Sequence, residues 1–319
     1  MKKYTKNLLL SFKDNLLTFR NFFRLKIFKS PMSEISSIKY TFYHNASKFF
    51  FKLNNKSKLI FDEEANEFNK NGFTTFTNKN IEKKCTEIFN KLKNKNNCWE
   101  KNKKLKAPPS DIFKDELICI FKSGVDQFIK NSFKSDYYIF YHILYKSNRS
   151  SKLEIPEGSE LWHADGGPGI CMNLMICHTP INKSNGAMKI INWNDSKRLL
   201  SKLFLENKKL LRNNKIVFPK NIQKRLFLRK LKCEILKELI ENNSIKSYQP
   251  KSSKPGTIFA FKNNCVHAGG FTELGCERIV SVMHIYPSIR KTSLNEKFNK
   301  PHLKMSGYPN FDKLIKNIS

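Results

Sequence analysis

Acidic residues are scarce in this 319-residue chain: 27 Asp and Glu stand against 59 Lys and Arg, a formal net charge of +32. An imbalance of this size first suggests an anionic partner, whether a nucleic acid, a membrane surface or an acidic substrate. Arginine is scarce relative to lysine, however, and nucleic-acid readers concentrate arginine for bidentate contacts. With Asn, Ile and Phe also abundant, the charge has a compositional reading as well, and a nucleic-acid partner is disfavoured. Paired cysteines are missing too. The eight Cys, at 85, 98, 119, 171, 177, 233, 265 and 276, form no Cys-x-x-Cys motif and follow no secretory signal. They read as reduced thiols of a cytoplasmic protein, many of them buried. No uninterrupted apolar run reaches membrane-spanning length, which excludes a simple helical anchor. No internal repeat is evident.

What is present is ample core material. Hydrophobic residues make up 39% of the chain and aromatics 13%, with 27 Phe, enough for a folded protein rather than a disordered one. The length suits one large domain with additions. Residues 1–61 form a basic extension whose first part (MKKYTKNLLLSFKDNLLTFRNFFRLKIFK) is amphipathic. It could make peripheral contact with a membrane surface or pack as a helix on the body. Asp14 and the Lys-rich composition speak against a transit peptide. The main domain is expected over 62–290, with an insertion at about 195–245 and a tail over 291–319.

Asp62, Glu63 and Glu64 open a short helix, and Gly72 stands where its C-terminal cap belongs. GFTTF (72–76) reads as a strand. Thr77 or Asn78 then caps a second helix with the apolar face Ile81, Cys85, Ile88, Phe89 and Leu92. Pro108–Asp111 starts a third helix, running to about 130. The texture changes at Tyr137: YYIFYHILYK (137–146) is a strand rich in aromatic and β-branched residues. Strand-like pieces follow near 160–165, 170–178 and 187–192, with turn signals at 166–169 and 182–186. The 195–245 stretch is helical and basic, with 12 Lys and Arg against 4 Glu between 201 and 245. Its best apolar face is Ile222, Leu226, Leu231, Ile235 and Leu239. Strands resume at 256–261 and 278–287. The expected fold is α+β: short antiparallel strands in a double-stranded β-helix (a cupin-like jelly roll), with N-terminal helices and a helical insertion.

In ELWHADGGPG, His163 and Asp165 are two apart, so on a strand both side chains share one face. One imidazole and one carboxylate can then meet the same ion. A second histidine completes the facial triad of non-haem iron(II) oxygenases, which leaves three adjacent coordination positions open. His267 follows a later strand, and Arg278 lies eleven residues beyond it at the start of the next. A forked, always-charged guanidinium suits the remote carboxylate of a dicarboxylic acid. Either residue alone reads equally as a surface side chain; the ordered set does not.

These residues resemble the core of the phytanoyl-CoA dioxygenase family of 2-oxoglutarate oxygenases. WHADGGPGICMNLMICHTPINKSNGAMKIINWNDSKR (162–198) has Trp-His-x-Asp, a strand, Asn185–Gly186 before Ala187 and Met188, and the next strand. The family often closes this block with Pro-Gly-Ser-His, where this chain has Asn192–Trp193–Asn194–Asp195. Pro255–Gly256 through His267 to Arg278 matches in order and spacing, and 68–89 is similar to the family's helix–strand–helix opening. The resemblance implies that His163, Asp165 and His267 bind Fe(II) and that Arg278 pairs with the distal carboxylate of 2-oxoglutarate. Dioxygen would oxidise that cosubstrate to succinate and carbon dioxide and yield the oxidant that attacks the substrate. Related halogenases replace the carboxylate ligand by a small residue, so the presence of Asp165 favours hydroxylation.

Tyr141 and Tyr145 share a strand face and are further candidates for cosubstrate contact, as is Asn173; core packing is the alternative for each. His178 and His284 read as packed structural histidines, and Trp162 as packing beneath the first ligand. The basic insertion could cap the site and attract an anionic substrate, or be a solvated helical face. The expected substrate is small or carrier-linked. From a different class, the chain could be a catalytically silent jelly-roll protein that binds an anionic ligand.

Overall fold

Local signals set the first elements. Helix α1 (Asp62–Asn71) opens on three acidic residues, which suit the positive pole of a helix N-terminus. It closes at Gly72, whose φ of 85° returns the Gly72 N–H to the Phe68 carbonyl. A side chain at Gly72 would also strike Cys265 Sγ and Trp193 Cβ at 2.6 and 2.7 Å. Strand β1 (Phe73–Phe76) follows directly. Asn78 caps α2 (Lys79–Lys93), its Oδ1 accepting from Ile81 N–H at 3.0 Å. The computed structural model describes residues 60–93, 99, 109–149, 151, 155–156, 158–165, 171–213, 222–252, 254–288 and 291–299; the side chains of 141, 204–213 and 222–231 are not among those described. The basic extension through residue 59, the 166–169 turn and the tail from 300 lie outside the described residues.

The third helix does not run unbroken to 130. Helix α3 (Pro109–Ile120) gives way to a π-helical turn at Phe121–Val125 before α4 (Asp126–Phe133). The interruption sits at Gly124, with φ 117°, where a side chain would meet Ile60 and Phe61 within 3 Å. A glycine thus trades helical regularity for close packing.

Strand β2 (Asp136–Asn148), β3 (Met172–Cys177), β5 (Ile258–Lys262) and β7 (Glu277–Ser288) join β1 in a five-stranded antiparallel sheet. Its order is β1-β5-β3-β7-β2. The residues expected to form strands near 160–165 and 187–192 make much shorter pairings. Strand β4 (Lys189–Ile190) pairs with β6 (His267–Ala268). His163 adds a single antiparallel bridge to His267, and Tyr248 another to Ile190. His163, His267, Ile190 and Tyr248 therefore lie abreast in a narrow ribbon.

Side-chain alternation divides the large sheet into two faces. Leu174, Ile176, Ile258, Ile279, Met283 and Ile285 point outward into one core with α1 to α4. Met175, Cys177, Phe259, Phe261 and Val280 point inward against the ribbon, meeting Ile190 and Met188. Strand β2 changes parity: its register with β7 slips between Ile139 and Tyr141, leaving Phe140 as an extra residue. Before this bulge odd residues join the helical core, and after it Leu144 does.

Helices α5 (Trp193–Asn213) and α6 (Ile222–Asn242) pack behind the ribbon. Among described side chains their core carries Leu199, Leu200, Leu203, Ile235, Leu236 and Ile240. Leu239, expected on the buried face, is only partly covered, so the stripe is turned toward Leu236 and Ile240. Helix α7 (Leu294–Asn299) is fastened by Lys297, fully buried and paired with Asp136 at 2.9 Å. No helix among the described residues is long and apolar enough to cross a membrane.

Candidate metal centre

The ribbon brings the first ligand pair together. His163 and His267 exchange both backbone hydrogen bonds at 2.8 Å, so their side chains emerge side by side, ring centroids 4.3 Å apart. The Asp165 amide donates to the Asn263 carbonyl at 3.0 Å, which turns the next alternate side chain to the same place. Asp165 Oδ1 lies 3.4 Å from His163 Nε2, and Oδ2 3.7 Å from His267 Nε2. One ligand atom from each of the three falls within 4.8 Å of the others, a group able to hold a metal ion. Two ligands at about 2.1 Å from one ion and at right angles would stand roughly 3 Å apart, so little closing movement is needed.

The imidazole tautomers follow from their partners. His163 Nδ1 contacts the Leu161 carbonyl at 2.7 Å, and His267 Nδ1 the Cys265 carbonyl at 2.8 Å. A carbonyl only accepts, so each Nδ1 carries a proton and each Nε2 is the atom left for a metal. Burial lowers the His267 pKa to about 4, with His163 adding and Asp165 opposing; this ring is neutral at physiological pH. Burial would raise the pKa of Asp165, but His267 and then His163 outweigh it and hold the carboxyl well below its usual range. His267 is thus a neutral imidazole and Asp165 a carboxylate, the forms in which they ligate a metal.

The inner sheet face forms the wall opposite. Register places Tyr141 of β2, His284 of β7, Asn173 of β3 and Phe261 of β5 in one row. Asn173 is buried, and its Nδ2 donates to Asp165 Oδ2. Phe261 lies against the His267 ring, centroids 4.8 Å apart and planes tilted by 59°. His284 is half-buried, and its desolvation lowers its pKa while the field of Asp165 acts the other way. Arg278 stands on the same face six residues earlier, only 3% exposed. Its Nη2 donates to Ser147 Oγ across a long 3.5 Å. Its Nε and Nη1 have no hydrogen-bond partner, and among the described residues no carboxylate pairs with it. Burial raises the Tyr145 pKa and the Arg278 charge lowers it in part, so the phenol and the guanidinium are neighbours.

No family model matches the chain, and no curated protein matches it. Solved structures similar to it include EctD from S. alaskensis with bound Fe, at 14% identity over 81% of this chain and 88% of that one, with a TM-score of 0.47. AviO1 from Streptomyces viridochromogenes Tue57 is 11% identical over 75% of this chain and 100% of that one, at 0.45. The non-heme alpha ketoglutarate dependent epimerase SnoN from nogalamycin biosynthesis is 8% identical over 78% and 91%, also at 0.45. At these values the likeness assigns neither a reaction nor a residue role to this chain.

Of the residues singled out in the sequence, His163, Asp165 and His267 converge, and Asn173 joins them through its amide. Tyr145 and Arg278 lie together farther along the sheet. Tyr141 occupies the row by its backbone register, its side chain being outside the description. Trp162 turns away from the ligands, into the cluster of Ile191, Leu199 and Val266. In place of the family's Pro-Gly-Ser-His, Asn192 caps α5, accepting from the Asp195 N–H at 2.9 Å. His178 is a structural histidine, bonded to Ser281 at 2.9 Å on the outer face. His284 is not one, since it faces the site. Its signal was available: six residues after Arg278 on one strand is an even spacing, hence the same face.

Proposed function

We propose that this chain is an Fe(II)- and 2-oxoglutarate-dependent oxygenase with a double-stranded β-helix core, phytanoyl-CoA dioxygenase-like, that hydroxylates a small or carrier-linked organic substrate. One observation carries the reading beyond a metal site: the buried Arg278 guanidinium, on the face that holds the triad's wall, with two nitrogens lacking any partner. An unpaired buried charge is costly, and a carboxylate-bearing ligand would satisfy it in the fork geometry that arginine offers.

In this reading His163, Asp165 and His267 hold the iron through Nε2, one carboxylate oxygen and Nε2. Arg278 anchors the distal carboxylate of 2-oxoglutarate, and the Tyr145 hydroxyl beside it supplies a neutral donor. Phe261 and Val280 keep water from the inner face. When bound, iron with 2-oxoglutarate and dioxygen supplies the oxidising power, converting the cosubstrate to succinate and carbon dioxide as a C–H bond of the substrate is hydroxylated. No disulfide joins the described cysteines, which supports the reducing, cytoplasmic setting of this reading. The alternative, a silent protein that binds an anion at Arg278, shares the guanidinium and needs no iron.

Anaerobic titration with Fe(II) and 2-oxoglutarate separates the two. The wild type should develop the weak visible charge-transfer band of the chelate. His267→Ala should abolish it, and Arg278→Ala should demand far more 2-oxoglutarate. Binding of 2-oxoglutarate without iron and without a band would leave the silent anion-binding protein standing.

A further inference from the structure

Asp165 can offer two oxygens to a metal, and what decides between one and two is its other neighbour. That neighbour is Asn173, buried to 1% exposure in the middle of β3. Its Nδ2 donates to Asp165 Oδ2. The amide orientation is not arbitrary. An ionised carboxylate only accepts, so the NH₂ must face it. The amide oxygen turns the other way, to the Cys171 thiol at 3.8 Å. Asn173 is itself fixed by register, between Phe261 on one side and His284 on the other.

Resting on the oxygenase reading, we propose that Asn173 is a positioning residue for Asp165 rather than a contact of the cosubstrate. By occupying Oδ2, it leaves Oδ1, the oxygen nearer His163, to ligate the metal alone. A one-oxygen carboxylate uses one coordination position. With two imidazoles, that preserves the three adjacent positions which a chelating cosubstrate and dioxygen require. A carboxylate free to swing would take two of the six and close one of them. Because Asn173 arises from the main sheet and Asp165 from the segment beside the ribbon, the bond also fixes the distance between the two layers at the metal.

The test uses Co(II) alone on the full-length metal-free protein, with affinity from competition against a chromogenic chelator and the visible Co(II) spectrum recorded at saturation. Asn173→Leu removes the amide at similar volume, and Asn173→Ala guards against failure of the larger side chain to fit. Met175→Leu, on the same strand face, controls for packing, and far-UV circular dichroism of each metal-free variant controls for folding. The expected result is a loss of Co(II) affinity of about 10–100-fold in both Asn173 variants, with an altered Co(II) band and no change in Met175→Leu. Wild-type affinity and band in a folded Asn173 variant, while His267→Ala loses Co(II), would overturn this inference and leave the metal site intact. Failure of the wild type to bind Co(II) at all would overturn both.

Discussion

The two faces of the five-stranded sheet are built from the same strands and could hardly differ more. Outward, β3 and β7 present Leu174, Ile176, Ile279, Met283 and Ile285 to a largely apolar helical layer. Inward, the residues between them include the buried Asn173 and Arg278 and the half-buried His284, all polar. Burial on the outer side removes apolar surface from water and stabilises the chain. Burial on the inner side costs free energy unless something completes the bonding. The sheet thus separates stability from chemistry by parity, at a resolution of one residue.

Breaking that division should give opposite signs on the two sides. The largest change is expected from Leu174→Ala, which opens a cavity among fully buried neighbours and should cost about 2–5 kcal/mol. Urea unfolding would measure this, and Co(II) affinity of the folded protein should stay at the wild-type value. Arg278→Met should act in reverse. Removing buried donors with no partner should stabilise the ligand-free protein by about 1–3 kcal/mol, while 2-oxoglutarate binding is lost. A calorimetric melt beside a 2-oxoglutarate titration would show both effects, and a destabilised variant would mean that Arg278 serves the fold.

The smallest change concerns acid. Burial lowers the pKa of His178 from 6.5 to about 3. As pH falls through that window the unfolded chain takes up a proton which the native state refuses, so stability is lost on acidification. His178→Gln removes this contribution, and the slope of unfolding free energy against pH should fall by up to about 1.4 kcal/mol per unit. Denaturant melts at several pH values would read it, and an unchanged slope would place the proton uptake at other groups.

What the sequence made legible was local or strongly typed. The acidic opening of α1, Gly72 at its end and the Asn78 cap act within a turn, so they could be read in one dimension. His163, Asp165, His267 and Arg278 were legible because few other tasks need that order of residue types. Strands β4 and β6, two residues each, were beyond such a reading, because their pairing depends on layers brought together from distant segments. The break at Gly124 was hidden for the same reason: the close packing of Ile60 and Phe61 requires it. His178 and His284 looked alike as histidines in strand-like runs. Strand parity tells them apart, and parity has meaning only once one residue on the strand has been tied to the site.

The bulge at Phe140 carries that point to its end. Tyr137 and Tyr141 have the same parity, yet the helical core contains Tyr137 while Tyr141 falls in register with His284. One supernumerary residue shifts the phase of everything after it on β2. If Phe140 instead paired in the ladder with no bulge, Tyr145 and Ser147 would turn toward the helices, and Leu144 and Lys146 would turn toward Arg278. A single-codon deletion of Phe140 would keep Ile139 opposite Ile285 and Tyr141 opposite His284, so the site depends on the extra residue staying out of the ladder, much as a word depends on a silent letter staying silent.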